Sequence, residues 1–172
     1  MLTTELAKPG AAVPGSIWRK AAAAGLIALG AAGWSAISAA QTADGKAVYR
    51  EANCIGCHKW HGEGGGGYGG AALSLRETPL ERQDLIDVIR CGRPATGMPY
   101  HLRTAWKSTE CYGMTAVDIG KDVPPQAAAF LRDHEIEAVT DYVIEHLQGR
   151  GAPTRDECIA FWGEGARECA RF

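Results

Sequence analysis

Cys54-Ile55-Gly56-Cys57-His58 places two thiols about one helical turn apart, with an imidazole directly after them. At that spacing each sulfur can add to a vinyl group of a haem, leaving two thioethers, and His58 sits beneath the macrocycle with a ring nitrogen toward iron. The same residue types could make a thioredoxin-like redox pair or half of a zinc site. A thioredoxin pair follows a β-strand, whereas Gly45 to Asn53 reads as helix. A zinc site needs a second Cys/His cluster at ligand spacing, and the chain has none. The motif therefore predicts one covalent haem c, bound through Cys54 and Cys57 with His58 as an axial iron ligand.

Gly97-Met98-Pro99-Tyr100 is the natural source of a second axial ligand. Pro99 holds Met98 extended, which can push the thioether out of its loop. Soft sulfur opposite imidazole favours Fe(II) and raises the potential. Met114, beside Cys111 and Gly113, is the competing thioether, and a histidine or an open position is the remaining alternative. His61 is too close to the attachment site to reach the far side of the ring. His101, His134 and His146 read as ordinary surface or helix histidines. With no second C-x-x-C-H and no nucleophile–base pair, the residues point to electron transfer rather than to an enzyme.

The elements that must position these groups are legible from periodicity and punctuation. Asp44 caps a helix that runs to Asn53, with Val48 and Tyr49 facing inward. His61 to Gly70 is dense in glycine: a flexible spacer, or backbone lying close against a flat group. Thr78-Pro79-Leu80-Glu81 reads as a capping box with proline at the first helical position. The helix behind it carries Leu85, Ile86 and Ile89 and stops at Gly92. An irregular stretch from Tyr100 to Pro125 contains Trp106, Cys111 and Met114. A helix over Asp133 to Gln148 has Ile136, Val139, Val143 and Leu147 on one stripe, with Gly149 just past its end. A short helix is expected over Arg155 to Trp162.

Composition narrows the setting. Lys8, Arg19 and Lys20 precede Ala21 to Ala40, an uncharged segment rich in Ala, Gly and Ser, which reads as a leader cleaved after Ala40. An uncleaved anchor is the alternative, since twenty uncharged residues are long enough to span a bilayer. Beyond residue 40 the chain carries 15 basic and 19 acidic side chains, a net −4 against −2 for all 172 residues. That balance argues against nucleic acid and suits a partner with a basic rim. Export to an oxidising compartment makes the four other cysteines disulfide candidates. Of three connectivities, Cys91–Cys111 with Cys158–Cys169 closes the most local loops, and the chain-entropy argument assigns each roughly 3 kcal/mol. The first bond either clamps the loop carrying Met98 or merely staples an insertion. Trp60, Trp106 and Trp162 read as core ahead of interface.

The order helix, C-x-x-C-H, glycine-rich loop, helix, Gly-Met-Pro, amphipathic helix resembles the class I monohaem c-type cytochromes, over about Asp44 to Gln148. The resemblance implies an all-α fold of three to five helices around one haem. Its first and last helices would cross through Val48 or Tyr49 against Val139, Tyr142 or Val143. The organisation would be a leader over 1–40, a cytochrome c domain over 41–150 and an extension over 151–172 packed on the domain. Where many members have Gly-Pro-x-Leu, this chain has Gly70-Ala71-Ala72-Leu73, so the carbonyl of Ala71 is expected to take the proton of the second His58 nitrogen. The His101–Pro125 insertion and the four extra cysteines are further departures. The implied function is a periplasmic one-electron carrier cycling Fe(III)/Fe(II) between a redox-protein donor and acceptor, with no membrane span once the leader is removed. Decorated members often serve quinoprotein (PQQ) alcohol dehydrogenases, which suggests such a donor and a terminal oxidase as acceptor. The alternatives are a dedicated cytochrome subunit or partner of one dehydrogenase, and a haem-based ligand or redox sensor.

Overall fold

The computed structural model describes residues 43–67 and 70–172, so the expected leader and its cleavage site lie outside the described residues. Among them the architecture is helical, with isolated bridges and no strand. Helix α1 spans Gly45–Glu51 and α2 spans Cys54–His58. They are followed by α3 (Arg82–Cys91), α4 (Ala116–Ile119), α5 (Asp133–His146) and α6 (Arg155–Trp162).

The Asp44 carboxylate caps α1, accepting from the amides of Lys46 (2.9 Å) and Ala47 (3.3 Å). Gly45 lets α1 lie directly on α5: a Cβ there would overlap the Ala138 carbonyl oxygen and sit 2.7 Å from Tyr142 Cβ. Val48 and Tyr49 are buried in this crossing, and the Tyr49 and Tyr142 rings lie 5.5 Å apart. From α5, Ile136, Val139, Val143 and Leu147 are all buried, as the stripe predicts. Leu85 and Ile86 of α3 are buried as well, and α3 packs on α5, with an ion pair of 2.6 Å from Arg82 to Asp141 at the surface.

One boundary moves. The expected capping box at Thr78 is not the start of α3, which begins at Arg82, with the Glu81 amide donating to Asp84 Oδ2. The reason is tertiary. Gln148 Nε2, just past α5, donates to the carbonyls of both Thr78 and Leu80 at 2.9 Å and holds that segment out of a helix.

The four extra cysteines are bonded as Cys91–Cys111 and Cys158–Cys169. They anchor two separate packing units. Cys158, Phe161 and Cys169 join Val48, Tyr49, Trp60, Leu85 and Val139 in one buried cluster, so the chain beyond residue 150 shares a core with α1 and α5. Cys91, Ala105, Trp106 and Cys111 form a second cluster, with Leu102, Met114 and Ile119 against it. Trp60 and Trp106 are core residues, and half-buried Trp162 carries the Arg50 guanidinium 5.3 Å from its ring. His101 departs from the expected surface role. It is buried, with Nδ1 3.1 Å from the Ala129 carbonyl, and burial pushes its pKa down.

Arg76 joins the core to the tail. Only 5% exposed, it donates to the carbonyls of Gly151 (2.6 Å) and His61 (3.0 Å) and grips both Glu157 oxygens at 3.0 and 3.2 Å. Buried guanidinium groups are tolerated when every donor direction is met in this way.

Candidate haem attachment site

Helix α2 is a single short turn and could not hold its shape alone, so its neighbours hold it. Asn53 enters it in the left-handed conformation (φ 62°). At the other end, the hydroxyl of buried Tyr49 donates to the Lys59 carbonyl at 2.8 Å and pins α2 to α1. The carbonyls of the last turn would otherwise lack partners. The glycine loop supplies them: Gly64 N donates to His58 O (3.2 Å) and Gly66 N to Cys57 O (3.0 Å). The same loop binds the strand-like segment behind it, with Gly65 N donating to Ala72 O (2.8 Å) and Ala72 N to Gly66 O (3.2 Å). A Cβ on Gly66 would overlap the Cys57 carbonyl and lie 2.8 Å from that of Gly56. Close backbone approach, not slack, is what these glycines provide.

That strap brings the Leu73 carbonyl to 3.0 Å from His58 Nδ1. A carbonyl only accepts, so Nδ1 carries the hydrogen and the Nε2 lone pair is free for a metal. Burial pushes the His58 pKa down, with the Leu73 hydrogen bond opposing, which favours the neutral ring. The expectation for Ala71 is thereby corrected: the acceptor sits two residues further on. Two residues further along, Leu75 packs on the main core and anchors that segment.

Cys54 and Cys57 are the unpaired cysteines, one turn apart on α2. Burial pushes the Cys54 thiol up to about 12, the opposite of the lowered pKa that makes a redox-active dithiol reactive. No group of three or more His, Cys, Asp or Glu side chains among the described residues could hold a metal ion, which also leaves no zinc cluster. The donor set fits haem c: two free sulfurs, a neutral imidazole with one nitrogen committed and one open, and an apolar side chain, Leu73, standing 61% exposed beside them. A separate cavity of about 650 Å³ between the start of α1, α5 and α6 contains none of Cys54, Cys57, His58 or Met98.

Met98 lies in the turn after α3, half-buried and outside both apolar clusters, with its amide donating to Thr96 Oγ1 (3.2 Å) and its carbonyl accepting from Arg93 N (3.2 Å). Met114 instead packs on the disulfide cluster. His61 is paired with Glu63 at 3.3 Å, and His134 and His146 are exposed on α5.

A helical chain with a braced C-x-x-C-H turn and a histidine oriented by a backbone carbonyl has the making of a c-type cytochrome. Residues 40–116 match the family described as cytochrome c oxidase, cbb3-type, subunit III, which supports that class and, with it, a covalently bound haem c and haem-based electron transfer. The matched stretch takes in α1, α2, α3 and the Met98 loop and ends at the first residue of α4. No curated protein and no solved structure matches the chain.

Proposed function

We propose that the protein is a periplasmic one-electron carrier whose haem iron is held between His58 and Met98. The observation that carries this reading is the hydrogen bond from His58 Nδ1 to Leu73 O, which commits one ring nitrogen and leaves the other for iron beside two unpaired cysteines. When bound, the haem supplies reversible one-electron chemistry. The chain's own residues do the rest. Cys54 and Cys57 tether the group, and the Leu73 carbonyl fixes the imidazole tautomer and raises its basicity. Met98 offers a thioether from a hydrogen-bonded turn, while Met114 is engaged in packing. Two protein ligands leave no coordination site for a substrate, which suits a carrier better than a gas sensor.

The test is spectral and electrochemical. In the matured protein, Met98→Ala is expected to remove the thioether-to-iron charge-transfer band, lower the potential and admit carbon monoxide or imidazole, and Met114→Ala to do none of these. The reverse pattern would give the ligand role to Met114. A pyridine haemochrome with intact mass reports one haem, two thioethers, both disulfides and any leader cleavage together.

A dedicated subunit or partner of one redox enzyme is the second reading. It is favoured by the insertion between His101 and Pro125, which packs as a cluster of its own around Cys91–Cys111. Co-elution with a purified quinoprotein dehydrogenase or a terminal oxidase separates the two, because a carrier docks only transiently.

A further inference from the structure

The insertion between His101 and Pro125 reaches back onto the loop that carries Met98 at three places. At its start, the last carbonyls of α3 and its cap would lack partners. Two side chains of the insertion supply them: Trp106 Nε1 donates to Cys91 O and the Tyr112 hydroxyl to Gly92 O, both at 2.9 Å. In the middle, Ala95 N donates to Asp122 O at 2.9 Å. At its end, Tyr100 N donates to Pro125 O and Tyr100 O accepts from Ala127 N, both at 3.0 Å. Gly92 is packed so closely that a Cβ there would lie 2.8 Å from Met98 O, Tyr100 N and Pro124 Cβ alike.

Backbone conformation marks the same residues independently. Trp106 (φ 65°), Tyr112 (φ 55°) and Ala95 (φ 59°) are three of the five non-glycine residues with left-handed backbone among those described. That conformation is disfavoured for residues with a side chain and persists only where surrounding contacts over-determine it. Here it aims the indole and the phenol at the two carbonyls. Tyr112 is 44% exposed, its ring lies 5.9 Å from that of Trp106, and its hydroxyl is nearer the Gly92 carbonyl, at 2.9 Å, than that of Asp87, at 3.4 Å.

We infer that Trp106 and Tyr112 are positioning residues for the Met98 thioether: the insertion is a brace that holds the ligand loop closed. This rests on the reading of Met98 as the axial ligand. A thioether is a weak ligand, and the fraction of molecules with the loop closed sets how well it competes with an incoming ligand.

The experiment measures imidazole binding to the ferric holoprotein, with the thioether charge-transfer band and the reduction potential read on the same samples. Tyr112→Phe removes one hydroxyl and keeps the ring. It is expected to tighten apparent imidazole affinity about fivefold, the equivalent of one lost hydrogen bond, and to weaken the band, with haem content and helicity unchanged. Trp106→Phe is expected to act in the same direction, and Val117→Ala, on the same insertion, to do nothing. Wild-type imidazole affinity and band in both Tyr112→Phe and Trp106→Phe would overturn the brace. Met98→Ala run alongside keeps the two ideas apart: if it leaves the band and affinity untouched, the ligand assignment falls and the brace with it. If it abolishes the band while the two brace variants stay silent, only the brace falls.

Discussion

At the scale of single residues, what matters is which backbone atom meets which side chain. His58 keeps Nε2 open because Leu73 O occupies Nδ1 at 3.0 Å, and Leu73 O is there because Gly64, Gly65 and Gly66 strap its segment to α2. A side chain at Gly66 has nowhere to go, since its Cβ would meet two backbone carbonyls that cannot move without breaking α2. Gly66→Ala is therefore expected to lower stability by about 1–3 kcal/mol and reduce the haem content of purified protein. Gly151→Ala, where nothing lies within 4 Å, is expected to stay within about 0.5 kcal/mol of wild type in thermal denaturation. Equal behaviour of the two would mean that the strap tolerates bulk and that close approach is not the role of Gly66.

At the scale of elements, the two disulfides hold different units. Cys158–Cys169 and the Arg76–Glu157 pair bind the tail to the α1–α5 core, whereas Cys91–Cys111 joins the end of α3 to the insertion. Arg76→Met would leave the Glu157 carboxylate without its partner and the carbonyls of His61 and Gly151 without their donor. It is expected to cost about 3 kcal/mol in urea unfolding. Burial pushes the Glu157 carboxyl up, but hydrogen bonds from the Thr154 amide and Arg76 outweigh it, so its pKa lies below the ordinary 4.5. A depressed folded pKa contributes stability above 4.5 that is lost as pH falls through the folded value. The melting temperature should thus drop below pH 4.5, and Glu157→Gln should flatten that part of the profile. An unchanged acid slope in Glu157→Gln would remove the pair from the account of acid stability.

At the scale of the whole molecule, net charge decides the long-range approach of a partner. With a net −4 beyond residue 40, and haem propionates adding to it, encounter with a basic redox partner should be steered. The second-order electron-transfer rate, measured by stopped flow against a basic redox protein, is expected to fall at least about tenfold between roughly 10 and 150 mM salt. A rate indifferent to salt would point to a docking surface dominated by apolar contact. Among the described residues no helix is long and apolar enough to cross a membrane, so the described chain does not itself supply a span by helix.

Chain-local chemistry was legible in the residues alone. The C-x-x-C-H turn, the Asp44 cap, the apolar stripe of α5, the span of α6 and both disulfides all follow from spacing along the chain. Helical periodicity and short loop closure act over a few residues and leave a signature in residue type. What the tertiary structure alone decided was which backbone group each polar atom meets. Leu73 rather than Ala71 faces His58, Gln148 delays the start of α3, His101 is buried, and Tyr112 and Trp106 close on the end of α3. Every residue has a carbonyl, so the sequence marks none of them; only the packing of distant segments selects the one that is near enough to bond.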